Sequence, residues 1–85
     1  MKHAGAAAFA ALEDLLEVIR SCTGMREPRP GVFYRKGKAW LHFHEDPAGI
    51  FADVKLDGVE FTRLRVSTAK EQAQLLRLVD RSAPG

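Results

Sequence analysis

The chain has 85 residues, of which 46% are hydrophobic and 28% are charged, and its formal net charge is +2. A chain of this length holds one hydrophobic core, so we expect a single domain over residues 1–85 rather than a large enzyme. Cys22 is the only cysteine, which excludes an intramolecular disulfide and predicts a reducing, cytoplasmic location. The sequence has no run of the ~18 apolar residues that a membrane span requires, so no membrane partner is expected.

Hydrophobic residues in the first third of the chain recur every three or four positions, which predicts an amphipathic helix over residues 6–22. The apolar stripe of this helix contains Leu12, Leu15, Leu16 and Ile19. Pro28 and Pro30 prevent the helix from continuing, so a loop is expected over residues 25–31.

From residue 32 onward the apolar period changes to two, which predicts strands at residues 32–36, 39–45, 50–56 and 59–66. Turn-forming residues separate these strands at Gly37-Lys38, Asp46 to Gly49 and Asp57-Gly58. A second helix is expected to start at a capping box formed by Thr68 and Glu71. The predicted fold is one α+β domain of order α-β-β-β-β-α, a four-stranded antiparallel meander with both helices on one face.

The predicted turns set a register between the strands. This register pairs Tyr34 with Leu41 on the helix-covered face. On the same face it pairs Val54 with Leu41 and with Phe61. The second face, meaning the sheet face away from the helices, then carries Phe33, Arg35, Trp40, His42, His44, Phe51, Asp53 and Leu64.

Two arginines do not fit this register, because simple alternation puts Arg63 and Arg65 on the helix-covered face. A bulge near Thr62 or Arg63, or an early end of the strand, would turn both arginines outward. Either change would also return Leu64 and Val66 to the core.

The predicted second face has more large apolar groups than a solvated surface, which is typical of an interface. Arg35 lies beside Trp40 in this arrangement, where the two side chains can form a cation–π contact. The leading interpretation is a non-enzymatic interaction module, which forms a homodimer or binds another protein through the eight residues of this face. No cofactor is expected.

One alternative is divalent-metal binding by His42, His44 and Asp53. The two histidines point to the same side of one predicted strand, and Asp53 lies across from His42. Imidazoles at this spacing with a nearby carboxylate can bind zinc or a similar ion. His42 beside Asp53 also has the form of an oriented general base, but no partnered nucleophile accompanies it and no catalytic residue is predicted.

The other alternative is a nucleic-acid-binding module, because residues 26–38 contain five arginines and lysines and a single acid, Glu27. Such modules use a basic stripe with aromatic side chains that stack on bases. The residues that would form this surface are Arg29, Tyr34, Arg35, Lys36 and Lys38. The acids of the following hairpin and the small net charge weigh against this alternative.

Residues 31–49, GVFYRKGKAWLHFHEDPAG, resemble a group of small bacterial proteins of unknown function. More loosely, the first helix, the Phe-x-x-x-Gly-Lys strand pair and the next hairpin are similar to the N-terminal part of MmcQ/YjbR-like domains. The resemblance covers about half of the chain. It implies a small bacterial domain in which a helix precedes antiparallel hairpins, and no functional residue is carried over from it.

Overall fold

One antiparallel sheet and three helices make up the described part of the chain, residues 2–3, 5–22 and 24–82 of this computed structural model. The helices are α1 (Ala6–Ala11), α2 (Glu13–Arg20) and α3 (Ala69–Ser82). The strands are β1 (Lys2–His3), β2 (Met25–Arg29), β3 (Val32–Arg35), β4 (Lys38–Asp46), β5 (Gly49–Val54) and β6 (Thr62–Arg65). Strands β2 to β6 are neighbours in sequence order, and β1 pairs with β4 beyond the end of β3. The predicted α+β class and antiparallel meander are confirmed, but the meander has five strands rather than four.

The additional strand, β2, lies in residues 25–31, where two prolines predict a loop. The prediction of a loop is wrong. Residues 25–29 form an edge strand, which pairs with β3 alone. A proline is tolerated on an edge strand, where its missing N–H can face away from the sheet. The register with β3 shifts between Arg26 and Arg29, so the ladder is irregular around Pro28.

The predicted first helix, residues 6–22, is present as two segments. Leu12 interrupts it with a backbone ψ of 3°, and α2 ends at Arg20. The hydrogen bonds from the Leu12 N–H to the Ala8 carbonyl (3.0 Å) and from the Leu16 N–H to the Leu12 carbonyl (2.8 Å) continue across the interruption. The interruption is therefore local, and the buried stripe is the predicted one: Leu12, Leu15, Leu16 and Ile19.

The capping box at the start of α3 is confirmed. Thr68 Oγ1 accepts a hydrogen bond from the Glu71 N–H (3.1 Å), and the Glu71 carboxylate accepts one from the Thr68 N–H (3.0 Å). The same carboxylate also accepts hydrogen bonds from the Ser67 N–H and from Arg65, both at 3.0 Å. These contacts satisfy donors that the first helical turn leaves unpaired, and they tie α3 to the end of β6.

The core lies between one face of the sheet and the helices. Its sheet side consists of Phe33, Trp40, Leu41, Phe43, Ala52 and Val54. Leu75 and Val79 of α3 belong to the same cluster as the apolar stripe of α2, so both helices cover one face, as predicted. Among the described residues, no helix is long and apolar enough to cross a membrane.

The turn between β3 and β4 is formed by Lys36 and Gly37, one residue earlier than the sequence predicts. Both residues have positive φ, 52° and 79°, as a tight two-residue hairpin turn requires. Arg35 therefore pairs directly with Lys38. This change alone moves the register by two residues, which leaves each side chain of β3 on its predicted face.

The predicted pairing of Tyr34 with Leu41 is wrong, because Phe33 opposes Leu41 and Tyr34 opposes Ala39. Trp40 is therefore an extra residue on β4, a β-bulge. Phe33 is 1% exposed and Trp40 is 5% exposed, and both belong to the core. The prediction that Phe33 and Trp40 lie on the second face is wrong because the bulge changes the face to which these side chains point.

The register between β4 and β5 is the predicted one. Leu41 opposes Val54, and His42 opposes Asp53. The hairpin closes through a two-residue loop at residues 47–48. Because the pairing is continuous over six residue pairs, the positions of His42 and Asp53 are fixed by two well-formed strands.

The connection between β5 and β6 is longer than the predicted Asp57-Gly58 turn and covers residues 55–61. The Asp57 carboxylate accepts hydrogen bonds from the N–H groups of Val59 (2.8 Å) and Glu60 (3.0 Å). A side chain that bonds its own backbone in this way stabilises a local turn. The last strand consequently begins at Thr62.

This longer connection changes the register of β6 by one residue. Val54 opposes Thr62, so its predicted pairing with Phe61 is wrong. Leu64 packs against the core, where it opposes Ala52, rather than lying on the second face. Arg63 and Arg65 both lie on the second face, where their charges can reach solvent. The late start of β6, and not a bulge, places them there.

Candidate functional site

The second face of the sheet, opposite α2 and α3, differs from the predicted surface. Four of the eight predicted interface residues are not on this face: Phe33, Trp40 and Leu64 pack in or against the core, and Arg35 lies on the same side of β3 as Phe33. Arg35 lies 4.5 Å from the Trp40 ring centroid, which is the predicted cation–π contact. The second face retains four of the predicted residues, His42, His44, Phe51 and Asp53. It also carries three residues that were not predicted there: Tyr34, Arg63 and Arg65.

A cleft of about 590 Å³ lies where the β3–β4 turn approaches the start of the 55–61 connection. We call it the lysine cleft; its charged lining residues are Arg35, Lys36, Lys38, Lys55 and Asp57. Hydrogen bonds from Val59 and Glu60 hold the pKa of Asp57 below its ordinary value. Within the described part of the chain, no carboxylate forms an ion pair with Lys36 or Lys38. Positive charge therefore dominates the cleft.

A second depression runs from the other side of the same turn toward the histidines. Its first part, about 410 Å³, is lined by Arg26, Pro28, Arg29, Tyr34 and Gly37. Its second part, about 220 Å³, shares Arg29 and Tyr34 with the first and reaches His42 and His44. Because the two parts share these residues, we treat them as one groove along β2, β3 and β4, called the tyrosine groove.

Glu27 is the one acid within the basic segment, residues 26–38. Its negative charge is paired with Arg20 and not with the arginines and lysines of that segment. Arg20 of α2 donates two hydrogen bonds to the carboxylate, from Nε to Oε1 at 2.7 Å and from Nη2 to Oε2 at 2.9 Å. The Gly31 N–H donates a third at 2.8 Å. The hydrogen bonds from Arg20 hold the pKa of Glu27 below its ordinary value. The carboxylate is therefore engaged by Arg20, which lies outside the basic segment.

His42, His44 and Asp53 meet on the second face, as the sequence predicts. Their imidazole nitrogens and carboxylate oxygens all lie within 4.8 Å of one another. The Nε2 atom of His44 is 3.0 Å from Oδ2 of Asp53. The two imidazole rings meet edge to face, with centroids 4.5 Å apart and planes at 87°. Phe61 packs edge to face on His42 at 4.9 Å, so an aromatic ring borders the cluster.

Arg63 completes this cluster from β6. Its Nε donates to Oδ1 of Asp53 at 2.8 Å, and its Nη2 donates to Oδ2 at 2.9 Å. These hydrogen bonds hold the pKa of Asp53 below its ordinary value, while burial of the carboxyl opposes the shift. Asp53 is only 7% exposed, so a paired arginine is what makes its charged form tolerable there.

Arg63, Lys55 and Arg26 are site residues that sequence reasoning missed. Arg63 could have been found only from the correct β6 register, which depends on the side-chain bonds of Asp57. Lys55 follows β5 and reaches the lysine cleft because its backbone N–H bonds to the Trp40 carbonyl at 2.9 Å. Arg26 enters the groove because β2 is a strand rather than a loop.

Two features of the fold are candidate sites: the basic surface around the β3–β4 turn, and the histidine–aspartate cluster, whose two histidines border the groove. The resemblance of residues 31–49 to small bacterial proteins and to MmcQ/YjbR-like domains stays a prediction. Comparison of the chain with protein-family models, with curated proteins and with solved structures finds no match in any of the three.

Proposed function

We propose that this domain binds single-stranded nucleic acid through the lysine cleft and the tyrosine groove. The observation that supports the proposal is the position of Tyr34 in a groove lined by arginines, next to a cleft lined by lysines. Proteins that bind single strands combine a positive groove, which follows the phosphates, with aromatic side chains that stack on unpaired bases. Both elements lie here on either side of one hairpin turn.

The net charge of +2 understates the positive potential of this region. Glu27 is paired with Arg20, and Asp57, which bonds the backbone of its own turn, is the one acid among the lining residues of the cleft and the groove. Six cationic side chains line the cleft and the groove: Arg26, Arg29, Arg35, Lys36, Lys38 and Lys55. Such a local excess of one charge attracts a polyanion even when the whole molecule is nearly neutral.

Tyr34 supplies the contact that would favour an unpaired base over a bare phosphate. The sheet holds this residue between Arg26 on β2 and Ala39 on β4, and its side chain is half-buried. A ring held by neighbouring strands loses little conformational freedom when a base stacks on it. Stacking of this kind contributes about 1–3 kcal/mol per base.

Fluorescence anisotropy of labelled oligothymidine and oligouridine, titrated with the protein at several salt concentrations, tests the proposal. We expect the logarithm of the association constant to fall linearly with the logarithm of salt concentration, by about 0.7 per neutralised phosphate. The double substitution Lys36→Gln and Lys38→Gln should reduce the slope by about 1.4, which corresponds to two phosphate contacts. Tyr34→Ala should weaken binding by about 1–3 kcal/mol with little change in slope.

The matched control is the double substitution Lys70→Gln and Arg81→Gln on the exposed side of α3. It removes the same amount of charge from residues that line neither the cleft nor the groove, and it should leave the slope nearly unchanged. An equal loss of affinity in both double variants would contradict the proposal, because binding would then follow net charge alone. Absence of binding at low salt would also contradict it.

Self-association through the second face is the second candidate function. Val59 is 73% exposed and Phe61 is 42% exposed, and Phe61 contacts His42 on that face. Phe51, which is half-buried, lies opposite His44 on the same surface. These residues, rather than Phe33 and Trp40, would form the apolar part of a dimer interface.

A further inference from the structure

We propose that His42, His44 and Asp53 form a binding site for one divalent transition-metal ion of the zinc type. The site lies on the second face, and it does not depend on the nucleic-acid surface proposed above. It offers two imidazole nitrogens and one carboxylate oxygen. This donor combination suits zinc and its neighbours, whereas magnesium and calcium prefer ligand sets made of oxygen alone.

The distances between the ligand atoms are close to those that a bound ion requires. Ligands held at about 2.0–2.2 Å from one tetrahedral zinc ion lie about 3.3–3.5 Å from one another. The ligand atoms here lie within 4.8 Å of one another, and His44 Nε2 is 3.0 Å from Asp53 Oδ2. Side-chain movements of about 1 Å would therefore bring all three onto one ion, with no change in the backbone.

The backbone holds the three ligands in place. His42 and His44 are two positions apart on β4, so both point to the second face. Asp53 lies on β5 directly opposite His42. β4 has hydrogen-bonded neighbours on both sides, β3 on one and β5 on the other, so the strand is not a mobile edge. A site on such strands is better ordered than one on loops.

Arg63 does not exclude the ion from Asp53. Each carboxylate oxygen has two lone pairs, so Oδ2 can accept the hydrogen bond from Arg63 and still bind a metal. Carboxylate ligands are commonly oriented by an outer hydrogen-bond donor. Arg63 is a positioning residue in this arrangement, because it holds Asp53 in the orientation that faces the two histidines.

The site has an open side. His42 and His44 line the inner part of the tyrosine groove, a space of about 220 Å³ that can hold water or a further ligand. Three protein ligands with an open fourth position are the arrangement of zinc sites that bind exogenous molecules. The ring nitrogens of His44 are buried and the Asp53 side chain is 9% exposed, so an ion bound here would lie at the floor of the groove and exchange through it.

The simplest competing arrangement is an ion pair between a protonated His44 and Asp53, with no metal. Isothermal titration of the chelator-treated protein with zinc chloride distinguishes the two. We expect one ion per chain, no displacement by excess magnesium, and binding weakened at least about tenfold by His42→Gln or His44→Gln. Asp14→Asn, which removes an exposed carboxylate on α2, is the control and should retain the affinity of the unmodified protein.

A second measurement protects the test against variants that fail to fold. In the unmodified protein, zinc should shift the imidazole ¹⁵N resonances of His42 and His44 together and in proportion to saturation. Absence of these shifts at concentrations that saturate the calorimetric signal would overturn the proposal. Zinc affinity that is unchanged in both folded histidine variants would overturn it as well, because the ion would then bind elsewhere.

Discussion

Glu27 lies among basic residues in the sequence, yet its carboxylate contacts Arg20 of α2 and the N–H of Gly31. Gly31 itself has a φ of +76°, and a Cβ atom at this position would lie 2.7 Å from the ring of Phe9. Glycine is therefore the residue that fits there. Together the two residues join β2, β3 and α2, so the acid of the basic segment stabilises the fold instead of opposing an anionic ligand.

The contact between Glu27 and Arg20 predicts a pH dependence of stability. Because the pKa of Glu27 is lowered in the folded state, its contribution is fully present above the unfolded value of about 4.3 and is lost as the pH falls below it. Arg20 is half exposed, so we expect only about 0.5–1 kcal/mol. Urea unfolding between pH 7 and about pH 3 should show a shallower loss of stability for Glu27→Gln than for the unmodified chain.

The control for this experiment is Glu17→Gln, which removes an exposed carboxylate from the same helix as Arg20. Its pH profile should run parallel to that of the unmodified protein. If Glu27→Gln gave the same parallel profile, the ion pair would contribute nothing to the pH dependence.

At the scale of elements, strand β3 is the least specified by its sequence. Val32, Phe33 and Tyr34 are all apolar or aromatic, so two registers bury a hydrophobic residue equally well. The position of the β3–β4 turn and the bulge at Trp40 select the register that buries Phe33. The apolar stripe of α2, the start of α3 and the β4–β5 hairpin have clearer patterns and were predicted correctly, whereas the break at Leu12 and the end of α2 at Arg20 were not predicted.

Substitutions at two adjacent residues test this register. Phe33→Ala should lower the free energy of unfolding by about 3–5 kcal/mol, because it empties a fully buried position. Tyr34→Ala should cost about 1 kcal/mol or less, since Tyr34 is half-buried on the second face. Phe33→Leu, with an expected loss of about 1.5 kcal/mol or less, keeps the comparison possible if the alanine variant does not fold. A larger loss at Tyr34 than at Phe33 would favour the register predicted from the sequence.

At the scale of the whole molecule, charge and apolar surface are distributed in a way that composition does not show. The carboxylates of Glu27, Asp53 and Glu71 form ion pairs within the fold. Lys36 and Lys38, in contrast, have no carboxylate partner among the described residues. Two of the three large aromatic groups expected on the second face, Phe33 and Trp40, are in the core instead. The surface is consequently more basic at one end and less apolar than the sequence suggests.

Light scattering after size exclusion tests self-association, the second candidate. A dimer predicts a mass that rises with concentration from 9.4 kDa toward twice that value. Phe61→Lys should keep the protein monomeric, because it places a charge in the remaining exposed apolar patch. Trp40 is unsuitable for this test since its replacement would disrupt the core. A constant mass of 9.4 kDa at high protein concentration would contradict self-association.

Periodicity and turn chemistry were sufficient to predict the α+β class, the succession of strands β3 to β6, the apolar stripe of α2, the cap of α3 and the β4–β5 pairing. These features depend on residues close together in the chain, namely spacings of two to four and a side chain that caps its own helix. The meeting of His42, His44 and Asp53 follows from the same local hairpin. It was therefore predictable from the sequence.

The strand β2, the burial of Phe33 and Trp40, and the arginine on Asp53 could be known only from the folded chain. β2 depends on pairing with β3 at the sheet edge, the burial of Phe33 and Trp40 on a bulge, and the position of Arg63 on a longer connection, none of which the pattern of apolar residues resolves. A shift of one residue moves every side chain of a strand to the opposite face. The core selects among such shifts by the volume that it must fill, and that choice settles which residues remain on the surface.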